Sequence, residues 1–467
     1  MAMSNFAEEL LARIGPGGVR IGAEVEPRHR HDWTVEMPSG DGPLAVVYPR
    51  NAEEVSTVLR LCQAHRHPVV VQGGLTGLAG GATPVDGCVV LSMERMRGIE
   101  EVDTDAGTMT VQAGVTLQTV QETADTAGLL FPLDLGARGS CLIGGNLSTN
   151  AGGNRVLRYG MMRDLVLGLE VVLADGTVVT SLNKMIKNNA GYDLKHLFIG
   201  TEGTLGVVTR AVLRLHPKPR SVCTALCAVA DYAAVLRLLR LARERLGGTL
   251  SAFEVMWPEV YRRVEATLGR PAPLPHGHGA YVLVEAMGTD QMPDQERFEA
   301  IMQQGFEDGI VTDAVIAQSG EQTAAFWTLR DACGDFGEVL WPAVGFDVSL
   351  PVGRIGEFVE LCQERLAARW PEAESVFFGH VADGNIHIGV KVAEEPLPVH
   401  AIDVVVYDAV REFQGSISAE HGIGVLKKEF LPHSVSPEAL ALMRTVKAAL
   451  DPNGLLNPGK VIDPTMG

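Results

Sequence analysis

The first clear pattern along the chain is an apolar run, a helical repeat and a second apolar run. Residues 44–50 (LAVVYPR) predict a strand. The segment NAEEVSTVLRLCQAHR follows it with apolar residues at helical spacing and with Asn51 as its N-cap. The next run, PVVVQGG, predicts a buried strand that leads into glycine. This order indicates a β-α-β unit whose first sizeable loop is GGLTGLAGG.

The rest of the first half is predicted to be mainly strand. Short apolar runs predict strands at 88–92 and 108–113. The segment LGLEVVLADGTVVTS predicts a hairpin, because Asp-Gly joins its two apolar runs. A further apolar run at 205–217 closes this half. The charged, proline-broken segment 216–220 then marks a predicted domain boundary.

The second half alternates strands with amphipathic helices. Its pattern predicts helices over 231–246, 294–309 and 352–370, strands over 279–288 and 345–351, and a hairpin over 375–393. Such an order indicates an α+β domain in which helices cover an antiparallel sheet.

Composition and charge exclude several classes of function. Of the 467 residues, 39 are Lys or Arg and 57 are Asp or Glu, so the net charge of −18 argues against a nucleic-acid partner. No apolar run approaches the roughly 18 residues of a membrane span. The N-terminus carries charges where a signal peptide needs apolar residues, so we expect a cytoplasmic protein. Seven scattered cysteines without a CxxC pair indicate reduced thiols.

Glycine-rich segments are the first candidates for chemistry. The loop GGLTGLAGG (73–81) would let backbone N–H groups approach an anion closely, although a tight turn is the simpler alternative. A second strip, LDLGARGSCLIGGNLSTNAGGN (133–154), mixes small residues with amides and hydroxyls, and GTEGTLGVVT (200–209) adds a third. Together they predict one long ligand, of which a dinucleotide such as FAD has the required length.

The segment HVADGNIH brackets a turn with two histidines. If Asp383 and Gly384 form a tight hairpin turn, His380 lies directly opposite His387, with Cβ atoms about 4.5–5.5 Å apart. That separation suits two ligands of one metal ion. A pair of ordinary half-buried histidines is the alternative on this motif alone.

Taken together, these segments resemble the FAD-linked oxidases of the vanillyl-alcohol oxidase and p-cresol methylhydroxylase superfamily, in particular the D-2-hydroxy acid dehydrogenase branch. The resemblance rests on PRNAEEV, GGLTGLAGGA, DLGARGSCLIGGNLSTNAGG, RYGMMRDLVLGLEVVLADG, GYDLKHLFIGTEGTLGVVT, GHVADGNIH, AEHGIG and LDPNGLLNPGK. It implies an α+β protein with a two-subdomain PCMH-type FAD-binding domain (1–219) and a substrate- and metal-binding domain (220–419). Residues 420–467 would return to the FAD domain.

The resemblance also implies which residues hold FAD. The 72–78 loop and the 144–153 strip would hold the phosphates and ribityl chain, a third group would lie near the adenosine, and Asn457 would return to the flavin. Because the first glycine loop contains neither histidine nor cysteine, we expect noncovalent FAD, with Cys141 as a packing residue. The full predicted set is Pro49, Gln72, Gly73, Gly74, Leu75, Thr76, Gly77, Leu78, Pro132, Asp134, Gly139, Ser140, Gly144, Gly145, Asn146, Thr149, Asn150, Gly152, Gly153, Glu202, Gly206, Val207 and Asn457.

For the reaction, the resemblance implies His380, His387 and Glu420 as ligands of a divalent metal, usually zinc, and His421 as the base. A 2-hydroxy acid would lose its hydroxyl proton to His421 and a hydride to flavin N5. Arg330 would contact the substrate carboxylate, with a surface ion pair as its alternative. Asn385 would shape the turn, with a substrate contact as its second role.

A separate acceptor would reoxidise the flavin. An electron-transfer flavoprotein, a quinone and a cytochrome all remain open, and a homodimer is one option for the assembly.

Two departures from the D-2-hydroxyglutarate dehydrogenases bear on the substrate. Those enzymes usually carry a lysine where this chain has Gly345 and an asparagine where it has Gly389, so we expect a monocarboxylic D-2-hydroxy acid, D-lactate or a larger, even aromatic one. D-2-hydroxyglutarate is the alternative. Trp327, Trp341 and Phe346 are candidates for the lining of such a pocket, with core packing the favoured role for at least two of them.

Two other classes of protein stay open. One is an enzyme without net oxidation, such as alkylglycerone-phosphate synthase. The other is a flavoprotein subunit that has lost catalysis.

Overall fold

The computed structural model describes residues 5–34 and 42–463. Its helices are, in chain order, α1 (Asn5–Ile14), α2 (Ala52–His65), α3 (Leu117–Thr126), α4 (Ile143–Ser148), α5 (Val156–Tyr159), α6 (Lys195–Phe198), α7 (Tyr232–Leu246), α8 (Pro258–Leu268), α9 (Gln291–Glu307), α10 (Gly320–Asp331), α11 (Phe336–Val339), α12 (Ile355–Arg369), α13 (Val399–Glu412) and α14 (Pro437–Leu450).

Its strands are β1 (Val19–Ile21), β2 (Ala45–Val47), β3 (Val69–Gln72), β4 (Val89–Ser92), β5 (Ile99–Asp103), β6 (Thr108–Gln112), β7 (Leu129–Leu130), β8 (Val166–Val172), β9 (Val178–Ser181), β10 (Val207–Arg214), β11 (His216–Pro217), β12 (Ser221–Val229), β13 (Leu250–Met256), β14 (Ala280–Gly288), β15 (Asp313–Ile316), β16 (Val344–Ser349), β17 (Glu374–Gly379) and β18 (Asn385–Lys391).

The chain forms two compact units, each with its own sheets. Unit 1 comprises the chain up to Gly153, Met161–Lys218 and the chain from Glu420 onward. Unit 2 comprises Asn154–Gly160 and Pro219–Ala419. The chain therefore passes from one unit to the other four times. Within residues 5–34 and 42–463, no helix has both the length and the apolar content to cross a bilayer.

Unit 1 begins with the predicted β-α-β pattern, which is confirmed. Strands β2, β4 and β3 are neighbours and run parallel, with β1 antiparallel at one edge. The connecting helix α2 starts at Asn51, whose side chain accepts a hydrogen bond from the backbone N–H of Glu54 at 2.9 Å. The buried face of α2 packs on the sheet through Val55 and Leu59. As a result, β2 and β3 end at the same edge of the sheet.

A second sheet of unit 1 is antiparallel, in the order β5-β6-β10-β8-β9. The predicted Asp-Gly hairpin is confirmed, because β8 pairs with β9 and Val172 lies opposite Val178. Gly176 occupies the left-handed region at the turn, with φ of 82°.

Unit 2 is a seven-stranded antiparallel sheet in the order β15-β12-β14-β13-β17-β18-β16. Helices cover both faces, as the α+β pattern predicts. On one face, α8 and α10 pack against Met256, Leu283 and Phe378. On the other, Phe346 packs edge-to-face against Tyr407 of α13 with ring centroids 5.3 Å apart. The histidine hairpin β17–β18 occupies the fifth and sixth positions of this sheet, beside the edge strand β16.

A short piece of the first half of the sequence also belongs to unit 2. Helix α5 packs beside β13. In the same segment, Arg155 lies 3.5 Å from the Glu285 carboxylate, and Arg158 donates to the Met287 carbonyl at 2.5 Å. Nothing in the apolar pattern of residues 154–160 indicated this role.

Candidate active site

The two glycine strips of unit 1 lie against each other. An ideal Cβ built on Gly74 would lie 2.0 Å from the Ser140 carbonyl oxygen, so no larger residue fits there. A Cβ on Gly73 would lie 3.7 Å from Gly145 Cα. A Cβ on Gly153 would lie 2.2 Å from the Asp134 carbonyl oxygen. These close approaches bring the segments at 73–78 and 134–153 into one backbone-lined surface.

The first loop presents unused backbone donors. Among the described residues, the backbone hydrogen bonds do not use the N–H groups of Leu75, Thr76, Gly77 or Leu78. Leu75 itself adopts φ of 60°, a left-handed turn conformation. A run of free N–H groups at the carboxyl end of a strand suits an anionic ligand such as a diphosphate. The fit of this loop to a dinucleotide therefore rests on backbone as well as on glycine content.

Several other predicted cofactor residues border the same region. Pro49 follows β2, and Gln72 ends β3, so both lie at the same edge of the parallel sheet. Gln72 is buried, and its amide donates to the carbonyls of His29 and Ala82. The glycine-rich strip itself contains α4, which the sequence analysis does not predict. Gly144 and Asn146 lie within that helix; along the chain Pro132 and Gly139 precede it, and Thr149, Asn150 and Gly152 follow it.

Glu202 and Asn457 hold the C-terminal segment. The two carboxylate oxygens of Glu202 accept hydrogen bonds from the backbone N–H groups of Ile423 (2.7 Å) and Gly424 (2.9 Å). Burial raises the pKa of this carboxyl, against the effect of those two donors. Asn457 accepts from the Val71 N–H at 2.9 Å and donates to the Glu202 carbonyl. In this structure both side chains hold the C-terminal segment through hydrogen bonds. Their contact with a cofactor stays a prediction.

Gly206 and Val207 lie inside the antiparallel sheet. A Cβ on Gly206 would lie 2.6 Å from Val171 Cγ1, and Val207 pairs with Val172. Their packing accounts for the small residue at 206 without a ligand.

The histidine hairpin of unit 2 differs from its predicted register. Phe378, not His380, lies opposite His387, so the predicted pairing of His380 with His387 is wrong by two residues. A one-turn 3-10 helix, Val381–Asp383, lengthens the connection, and Gly384 closes it with φ of 93°. A shift of two residues preserves the face of a strand. Both imidazoles therefore still lie on one side of the sheet, with ring centroids 5.5 Å apart and planes at 84°.

Buried acids surround the two histidines. The Glu254 carboxylate accepts from His380 Nδ1 at 2.7 Å, and its other oxygen accepts from Arg330 Nε at 2.8 Å. Although burial alone raises the pKa of Glu254, the charges of His380 and Arg330 lower it to about 2. Because Glu254 binds Nδ1, a neutral His380 directs the lone pair of Nε2 away from it. Nε2 does not contact Glu254, but it lies 3.1 Å from a terminal nitrogen of Arg330, so its use as a metal ligand stays a prediction.

Arg330 is buried, so the alternative of a surface ion pair is wrong. Only 8% of it is exposed, and one terminal nitrogen lies 3.1 Å from His380 Nε2. The guanidinium also lies over the Phe378 ring at 5.5 Å. Arg330 thus belongs to the same cluster as His380 and Glu254.

Asp347 supports the second histidine. It lies opposite His387 in the sheet, with Oδ1 3.8 Å from His387 Nδ1. The Asn385 amide donates to Asp347 Oδ1 at 2.8 Å, and the Ala419 N–H donates to Oδ2 at 3.1 Å. The side chain of Asn385 therefore holds Asp347 rather than only shaping the turn.

Glu254 and Asp347 are the site residues that sequence reasoning missed. Each is a fully buried carboxylate in a strand of otherwise apolar residues. A buried charge must be paired with another group. An acidic residue inside an apolar strand was therefore the sequence signal that could have identified them.

The remaining predicted residues have mixed positions. Glu420 and His421 belong to unit 1, where a Cβ on Gly152 would lie 2.5 Å from Glu420 Oε1.

Phe346 lies on the sheet face opposite His387, so a pocket role for it is wrong. Trp341 is 69% exposed. The Trp327 indole donates to the Glu285 carboxylate at 2.8 Å.

Comparison with known proteins gives the family. Residues 43–181 match the model "FAD binding domain", and residues 218–461 match "FAD linked oxidases, C-terminal domain". The chain is 42% identical to the D-2-hydroxyglutarate dehydrogenase of Arabidopsis thaliana, over 92% of this chain and 77% of that protein. It is 39% identical to that of Xanthomonas citri pv. viticola, over 94% and 93% respectively.

Solved structures agree on the fold. A p-cresol methylhydroxylase with substrate bound has a TM-score of 0.77 at 18% identity, over 98% of this chain and 96% of that one. An alkyldihydroxyacetonephosphate synthase also has a TM-score of 0.77, at 16% identity, over 98% and 85%. The PCMH-type architecture is confirmed.

The same relatives correct one expectation and settle the family. The cytoplasmic location expected from the N-terminus is contradicted, because the relatives from Arabidopsis thaliana, Bos taurus, Danio rerio and Rattus norvegicus are named mitochondrial. The two family models together match most of the chain, and relatives near 40% identity match 92% and 97% of it. The chain belongs to the FAD-linked oxidases, in the branch that contains the D-2-hydroxyglutarate dehydrogenases.

Proposed function

We propose that this chain oxidises a D-2-hydroxy acid to the 2-oxo acid, with FAD as the first electron acceptor. The observation that carries the proposal is the cluster of His380, His387, Arg330 and Glu254 on one face of a single sheet. A guanidinium can bind the substrate carboxylate, and two imidazoles beside it can bind a metal that coordinates the substrate hydroxyl. The names of the relatives support the same reaction.

A divalent metal, zinc in the first instance, is proposed to be bound by His380, His387 and Glu420. Two imidazoles and a carboxylate are a ligand set that zinc accepts while keeping a position open. The chain itself supports Glu420: it follows Ala419, whose N–H is bonded to Asp347, the cross-strand neighbour of His387.

The chain's own groups divide the remaining work. Arg330 binds the substrate carboxylate, and its ion pair with Glu254 fixes its direction. His421 takes the hydroxyl proton, since an imidazole has a pKa near neutrality. When bound, the metal makes the hydroxyl more acidic and the flavin takes up the hydride. A separate acceptor, an electron-transfer flavoprotein, quinone or cytochrome, would then reoxidise the flavin.

For the substrate side chain we favour a monocarboxylic acid, because Gly345 and Gly389 provide no polar group beside His387. D-2-hydroxyglutarate is the second candidate, which the names of the relatives favour.

Anaerobic flavin reduction tests the proposal. We expect the yellow holoprotein to be bleached by D- but not L-2-hydroxy acids, and a chelator to abolish bleaching while the flavin stays bound. His421→Gln should slow bleaching by about 100-fold or more. His400→Gln, which changes an exposed histidine of α13, should not. A flavin that no 2-hydroxy acid reduces would instead indicate the flavoprotein subunit without catalysis.

A further inference from the structure

Beside His387, two neighbouring strands of the sheet carry glycine at paired positions. Gly345 of β16 and Gly389 of β18 lie directly opposite each other, and Val376 of β17 lies opposite Gly389. Gly345 is two residues from Asp347 along β16, and Gly389 is two residues from His387 along β18. Val376 is two residues from Phe378, which lies opposite His387. They therefore share the face that carries the histidines, about 7 Å further along.

The ring of Phe336 covers this pair of glycines. A Cβ on Gly345 would lie 3.2 Å from Phe336 Cε2, and a Cβ on Gly389 would lie 2.8 Å from Phe336 Cε1. Any larger residue at 389 would collide with the ring. The same ring meets Phe378 edge-to-face at 6.1 Å, and Phe378 meets His387 at 5.0 Å. Aromatic rings thus connect Phe336 to the histidine cluster without a break.

The nearest charged side chains beyond the glycines are already paired with one another. One level further along the strands, Lys391 Nζ lies 3.8 Å from a carboxylate oxygen of Glu374, and Arg263 binds the other oxygen. A second substrate carboxylate at the glycine level would leave water and meet an aromatic ring, which is costly for a charge.

We propose that Phe336 is a specificity-determining residue whose ring forms the apolar wall for the substrate side chain. The inference rests on the proposed function, since it assumes that the hydroxy-acid end is held at His380 and His387. A side chain directed along β18 then meets the ring over Gly345 and Gly389. The chain selects monocarboxylic acids with apolar side chains and discriminates against diacids.

Steady-state kinetics of the holoenzyme with a dye acceptor test the preference. We expect kcat/KM for D-2-hydroxyisocaproate to exceed that for D-2-hydroxyglutarate by about tenfold or more. Phe336→Ser should reduce this ratio, and Phe336→Ser with Gly345→Lys should reverse it. Phe306→Ser, at an exposed phenylalanine of α9, is the matched control and should leave the ratio unchanged.

The outcomes separate the two proposals. Wild-type preference for D-2-hydroxyglutarate, or a ratio that stays constant in both Phe336 variants, would overturn the role of Phe336 while leaving the oxidation intact. Failure of the wild type to oxidise either acid would overturn the proposed function itself.

A thermal double-mutant cycle tests the contact without catalysis. Gly389→Ala should lower Tm by about 2–4 °C, because the new methyl group collides with the ring. Gly389→Ala combined with Phe336→Ala should lose less than the sum of the two single changes. Strict additivity would show that the ring does not rest on Gly389 and would contradict the inference.

Discussion

Single buried carboxylates bind neighbouring segments of this protein through hydrogen bonds. Glu254, Asp347 and Glu202 are all buried, and each accepts two or more hydrogen bonds from neighbouring groups of its own unit. The sequence motifs identified the histidines because histidine pairs beside a turn are rare. They did not identify the carboxylates, because a single acid in an apolar strand looks like a surface residue until its burial is known.

Glu254→Gln tests the support of His380. The amide cannot balance the buried Arg330, so we expect a loss of about 3 kcal/mol in the free energy of unfolding. Loss of the carboxylate behind His380 should also weaken metal affinity by about 10- to 100-fold. Denaturant unfolding and metal titration measure the two effects. Glu259→Gln, at an exposed acid of α8 paired with Arg262, should cost less than about 1 kcal/mol and leave metal affinity unchanged.

Lys460 gives a pH-dependent prediction. Its Nζ is buried and has no hydrogen-bond partner among the described residues, and burial lowers its pKa from 10.5 to about 8. The unfolded chain therefore binds more protons between about pH 8 and 10.5, and the lysine's cost to stability disappears as pH rises through that window. Lys460→Met in flavin-free protein should raise the free energy of unfolding at pH 7 by up to about 3 kcal/mol and flatten this slope.

Lys447 is the matched control for that change. Its Nζ donates to the carbonyls of Thr204 and Leu456 and to the Asp451 carboxylate. Lys447→Met should therefore destabilise the protein by about 3 kcal/mol. Urea unfolding measures both variants. If the two substitutions change the free energy of unfolding in the same direction, the interpretation of Lys460 is wrong.

At the scale of elements, periodic segments were predictable and irregular ones were not. Helices such as α2 and α7 have clear apolar stripes and side-chain caps at Asn51 and Asp231. Helix α10 was missed because Arg330 lies on its buried face and interrupts the apolar pattern. The hairpin register was missed because the 3-10 turn after His380 takes more residues than the Asp-Gly pair predicts.

The contact between the glycine strips can be tested at Gly74. Gly74→Ala places a methyl group against the Ser140 carbonyl, so the two strips must separate. We expect the purified variant to contain less than about a tenth of the wild-type flavin, because every loss of about 1.4 kcal/mol weakens the affinity tenfold and separation of the strips costs several times that much. The ratio of flavin to protein absorbance measures this. Gly136→Ala, where a Cβ meets nothing within 4 Å, should retain its flavin.

The whole molecule is two units built from interleaved stretches of chain. The family and the α+β class followed from the order of the motifs along the sequence. The membership of residues 154–160 in unit 2 could not be predicted, because it depends on the ion pair of Arg155 with Glu285 and on the Arg158 hydrogen bond, which join residues more than a hundred positions apart.

Flavin attachment is a prediction for the molecule as a whole. We expect acid precipitation to leave all of the flavin in the supernatant, as free FAD. The loop 73–81 carries no histidine or cysteine, and Cys141 beside it is buried, with burial raising the pKa of its thiol. A neutral thiol is a poor nucleophile. Yellow colour that stays with the precipitate would contradict noncovalent binding.

The pairing of Leu456 with Val69, together with the Asn457 cap on Val71, has a consequence for biosynthesis. The strand that leads into the first glycine loop is completed by residues made almost four hundred positions later. A ribosome-bound chain therefore lacks part of its flavin cradle until residues 456 and 457 have been made, whereas the long stretch 219–419 emerges without interruption. We expect cofactor loading to be a late, post-translational event, and newly made protein to accumulate first as a flavin-free form.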